Sequence, residues 1–104
     1  MTTRTALTKA KRGAAFLDKR LGRGWRRKIR RRKLDMAEPE LDHRDCGCIL
    51  AQLYGGYGAG TDELGISWGE QERLGLDAAL FSKDHNAEYA DLTEAWLEVL
   101  REKA

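Results

Sequence analysis

Apolar positions along this chain recur mostly at helical spacing. Leu7, Ala10, Ala14, Leu17 and Leu21 alternate steps of three and four, one narrow stripe of a helix over roughly 5–21, with Phe16 beside it. Gly22 and Gly24 supply its stop, because glycine tolerates the left-handed backbone that closes a helix. A second helical stretch is expected from Trp25, with Trp25, Ile29 and either Lys33 or Met36 on one face and arginines over the rest. So much like charge at i,i+4 repels itself, so this stretch needs docking through Trp25 and Ile29, or neutralisation, to be ordered. The polar segment Glu38–Asp45 holds the only proline, Pro39, and predicts a linker or turn. Asp45 then caps a helix of about 46–54 whose apolar side carries Cys46, Ile49, Leu50, Leu53 and Tyr54. Gly55, Gly56, Gly58 and Gly60 are expected to end that helix in a flexible loop around Tyr57.

Further on the signals become local. In Leu64-Gly65-Ile66 and Leu74-Gly75-Leu76 an apolar residue follows a helix-ending glycine, the order a Schellman cap prefers. Ser67-Trp68-Gly69-Glu70 matches a capping box and predicts a helix of about 68–74. A last helix starts near Asp84 or Asn86, with Tyr89, Leu92, Thr93, Trp96, Val99 and Leu100 facing inward. No stretch alternates well enough for a strand, and no repeat suggests a solenoid. The expected fold is mainly α, a small helical domain with a basic N-terminal helical arm.

Composition limits what such a domain can do. Leu, Ile, Val and Phe together make 20 of 104 residues, close to the roughly 20% floor below which chains stay disordered. A full-sized enzyme with its own substrate cavity is not expected. Without a run of about 18 apolar residues no membrane-spanning helix is expected, and no apolar h-region follows the basic N-terminus. Cys46 and Cys48 are too close to bridge without strain, which suggests free thiols in a reducing, cytoplasmic compartment.

Charge changes the picture most. The net charge is only +2, yet residues 1–33 hold 14 Lys/Arg against one acid, Asp18, and residues 34–104 hold 5 against 16 Asp/Glu. The chain therefore divides into a basic arm, 1–33, a linker, 34–45, and an acidic body, 46–104. Such an arm either reaches an external polyanion or folds back onto the acidic body. The candidate nucleic-acid-binding residues are Arg23, Trp25, Arg26, Arg27, Lys28, Arg30, Arg31, Arg32 and Lys33. The cations pair with phosphate oxygens, and Trp25 is placed to stack on an unpaired base. A second helix carrying Glu70 and Glu72 argues against a groove-reading helix-turn-helix, so binding is expected to follow the backbone of DNA or RNA.

Other constellations are weaker. His43, Cys46 and Cys48 give three soft ligands at cramped spacing, with His85 needed as a fourth, so no metal is expected and Cys46 is expected to be buried. The glycines of 55–60 lack the Gly-Lys-Ser/Thr ending of a phosphate loop. Nothing resembles a catalytic set, and no cofactor is implied. Tyr54, Tyr57, Trp68, Tyr89 and Trp96 are expected mostly in the core, and any left exposed would mark a protein-binding patch.

Trp25, Ile29, Leu34-Asp35-Met36, Cys48-Ile49-Leu50-Ala51-Gln52-Leu53-Tyr54-Gly55, Leu64-Gly65 and the late Tyr89, Leu92 and Trp96 form an ordered set. In that order the set resembles a group of small proteins of actinobacteria and their phages that have no assigned activity. The resemblance implies a small cytoplasmic protein, encoded by a bacterium or a phage, and supplies no catalytic residues. The functional expectation is a non-enzymatic accessory or regulatory protein whose arm binds nucleic-acid phosphates. A protein-interaction module and a homodimer joined through opposite charges are the alternatives.

Overall fold

In the computed structural model, which describes residues 3–36, 48–55, 57–77 and 85–101, the stripe from Ala6 to Leu17 becomes the buried face of α1 (Arg4–Leu21). The Thr3 hydroxyl caps it, accepting from the Ala6 amide at 3.1 Å, and Gly22 at φ 79° ends it. This stripe lies on α6 (His85–Arg101), whose Leu92, Ala95, Trp96 and Val99 are all buried. Small residues let the two helices close. A Cβ at Gly13 would collide with the Leu74 carbonyl oxygen and come within 2.8 Å of the Trp96 ring.

Residues from Trp25 to Met36 depart from the expected helix. One turn, α2 (Trp25–Lys28), is followed by extended backbone at Ile29 and Arg30 and a 3-10 turn at Arg31–Lys33. A continuous helix would stack arginines at i,i+4, whereas the broken path buries Trp25, Ile29, Leu34 and Met36 and exposes most of the cations between. This path packs on α3 (Ile49–Tyr54).

Two further departures lie beyond it. The helix expected at 46–54 starts at Ile49, and its cap is the buried Cys48 thiol, which accepts from the Ala51 amide at 3.3 Å. Pro39, Asp45 and Cys46 lie outside the described residues. Gly55, left-handed at φ 85°, ends α3 as expected, but from Tyr57 onward the expected loop is instead α4 (Tyr57–Leu64), packed against α3. Gly60 permits that contact, because a Cβ there would sit 2.9 Å from Leu50.

The local signals in 61–76 produce the expected structures. Ile66 donates to Thr61 and Gly65 to Asp62 across a left-handed Gly65, the Schellman pattern, and Leu76, Gly75, Gln71 and Glu72 repeat it. The capping box forms reciprocally at Ser67 and Glu70 and starts α5 (Trp68–Arg73). Every regular element among the described residues is helical, so the fold is mainly α. One core joins them, from Ala6 on α1 through Trp25 and Ile49 to Val99 on α6. None of these helices is long and apolar enough to cross a membrane.

Candidate functional site

The nine sequence candidates separate into two sets. Trp25 belongs to the interior: it is 2% exposed, and its ring meets Trp96 edge to face with centroids 6.2 Å apart. Its indole Nε1 donates to Asp18 Oδ1 at 2.8 Å. The proposed role of stacking on a base is therefore corrected, since Trp25 is the anchor that holds the segment to the core.

Arg26 is drawn inward with it. Its Nε and Nη2 reach the two Asp18 oxygens at 3.2 and 2.9 Å, a bidentate pair, and its guanidinium lies 5.5 Å from the Trp25 ring. Burial pushes the Asp18 carboxyl up, but hydrogen bonds from Arg26 and Trp25 and the charges of Arg26 and Arg23 outweigh it. The net effect holds Asp18 below its ordinary value. Asp18, the lone acid among 14 cations of residues 1–33, is the residue that positions Trp25 and Arg26, and pattern reading passed it over. Its isolation was the available signal.

The remaining cations stay outside. Arg23, Arg27, Lys28, Arg30, Arg31, Arg32 and Lys33 are all exposed, and from Arg27 onward none forms an ion pair among the described residues. Their backbone is nonetheless pinned. The Arg30 amide donates to Gln52 Oε1 at 2.6 Å and its carbonyl accepts from Gln52 Nε2 at 3.3 Å. At the end of the strip the Met36 amide donates to Thr93 Oγ1 at 2.8 Å. The result is a backbone path held by hydrogen bonds, with its guanidinium and ammonium groups exposed.

Cations of α1 have different employment. Arg12 donates to the Arg73 carbonyl at 3.1 Å and Arg20 to the Leu64 carbonyl at 3.3 Å, so each serves the C-terminal end of a neighbouring helix. Lys9 pairs with Glu72 at 2.7 Å and reaches Glu88 at 3.9 Å. Part of the basic excess thus folds back on the acidic half; Arg4, Lys11 and Lys19 stay exposed but scattered along α1, and the strip from Arg27 to Lys33 is the densest run of exposed cations among the described residues.

Of the other candidates, His43 and Cys46 lie outside the described residues, and no cluster of three metal-ligating side chains occurs among those described. Tyr89 and Trp96 are core residues, Tyr54 is half-buried, and Trp68 stands 74% exposed. No family model, curated protein or solved structure matches this chain.

Proposed function

We propose that the exposed strip of Arg27, Lys28, Arg30, Arg31, Arg32 and Lys33 binds the phosphates of DNA or RNA with little sequence specificity. In this reading the protein is a non-enzymatic accessory or regulatory factor. The observation that carries it is six exposed cations without an ion pair among the described residues, on a backbone fixed by Trp25, Gln52 and Thr93. A fixed path means that binding orders only side-chain tips, which lowers its entropic cost. With its helical and 3-10 turns the strip spans roughly 15–17 Å of chain, or about five phosphates of one strand at ~3.4 Å spacing. With one helical turn and a 3-10 turn in the strip, no element there is long enough to lie along a major groove, which favours backbone contact over base reading.

Retention on a nucleic-acid column at low salt tests this directly. Replacing Arg27, Arg30, Arg31 and Arg32 with Ala should move the protein to the flow-through. Retention unchanged by those four substitutions overturns the proposal.

Trp68 favours a second reading, a protein partner. It is the first residue of α5, is 74% exposed, and neighbours the acidic Glu70. An aromatic-centred interface of that kind survives moderate salt, whereas phosphate contacts weaken steeply.

A further inference from the structure

Beside the strip, where the end of α1 meets α2 and α3, lies an open cavity of about 260 Å³ lined by Leu21, Gly24, Trp25, Lys28, Leu53 and Tyr54. Its lining combines apolar and aromatic side chains with one cation and, among the described residues, no carboxylate. Leu21 is 43% exposed at its wall, one of two large hydrophobic residues so exposed among those described. Gly24 places no side chain there, and nothing stands within 4 Å of where its Cβ would be. The volume falls below the roughly 300–1,000 Å³ of drug-sized ligand sites, so it suits one planar ring better than a whole cofactor.

Lys28 is common to the cavity and to the cationic strip, which continues through Arg30, Arg31, Arg32 and Lys33. A ligand with a flat apolar body and a run of negative charges satisfies both at once. We infer that the cavity receives an unpaired base of a single-stranded nucleic acid whose phosphates follow the strip. This rests on the phosphate-binding reading and narrows its ligand from nucleic acid at large to strands with unstacked bases. Tyr54 and Leu21 offer the ring-sized contacts, and because every base has a π-face the site is tolerant of sequence. A perfect duplex keeps its bases stacked inside and can use the strip alone. An aromatic side chain of a protein would fill the same space but would bring no phosphates for the neighbouring cations.

The test compares two fluorescent probes on the full chain, a short oligothymidylate and an abasic backbone of equal length. The base-bearing strand should bind about tenfold tighter at equal salt, within the roughly 5- to 150-fold range expected of one stacked base. Leu21→Gln and Tyr54→Leu should reduce oligothymidylate to the abasic level while leaving abasic binding unchanged, with melting followed to verify the fold. Equal affinity of the wild type for both probes overturns the base subsite, returns the cavity to a protein side chain and leaves the phosphate reading standing. Binding of neither probe overturns both.

Discussion

Asp18 decides the fate of two neighbours. One carboxylate accepts from the Trp25 indole and from Arg26, turning an aromatic and a cation that look available for ligand into parts of the fold. Trp25 was legible as an anchor, but an apolar ring next to arginines fits docking on the body as well as stacking on a base. What separates those outcomes is Trp96, more than 70 residues away in the chain, and no local pattern reveals that pairing. Asp18→Asn keeps an acceptor for the indole but loses the charge that Arg26 holds, and should cost about 1 kcal/mol given its partial exposure. The pH dependence has a definite sign. A carboxyl held below its unfolded value contributes fully above the unfolded pKa of about 3.9 and less as pH falls through the folded value. Urea midpoints should therefore differ most between wild type and Asp18→Asn at pH 5 and above, and converge towards pH 3. A gap independent of pH would exclude this charge-based account.

Elements with strong local signals were legible: α1 from its stripe and terminal glycine, α5 from its capping box, and α6 from its inward face. The helix α4 was not, because glycine-rich composition predicts a loop when backbone entropy is considered alone. Its glycine at position 60 instead serves close approach to Leu50, and only a tertiary contact supplies that reason. The broken path from Trp25 to Met36 was half legible, since repulsion argued against a free helix without showing which backbone replaces it. Packing also makes two glycine substitutions diverge. Gly13→Ala improves helix propensity but drives a methyl into the Leu74 carbonyl and the Trp96 ring, so α1 must lift from α6 and stability should fall by about 1–3 kcal/mol. Gly69→Ala, inside α5 with nothing within 4 Å, should raise stability by about 0.5–1 kcal/mol. Thermal melts of the two variants check the contrast. Shifts of the same sign would mean that α1 is not seated as described.

At the scale of the whole molecule, charge and core follow different boundaries. The basic segment is an arm by composition, yet α1 buries Ala10, Ala14 and Leu17 in the core that Trp96 and Val99 share. Removing residues 1–22 should consequently leave a chain without a cooperative melt or dispersed amide resonances, and a folded remainder would show the acidic part to be independent. That core also explains why the candidate site was only partly legible. Sequence located the cations, but not which of them the fold neutralises: Lys9, Arg12, Arg20 and Arg26 are spent on carboxylates and helix ends. The central claim is that the position of the surplus charge, and not its amount, makes the binding surface. The most direct measurement is the salt dependence of nucleic-acid affinity for two variants that each lose three charges. One removes Arg30, Arg31 and Arg32, and the other removes Arg4, Lys11 and Lys19, exposed on α1. Wild type should show a log–log slope of roughly −3.5 on single strands or −4.5 on duplex, unchanged in the α1 variant and cut by about half in the strip variant. Equal losses in both variants would mean that only net charge matters, and would contradict a dedicated strip.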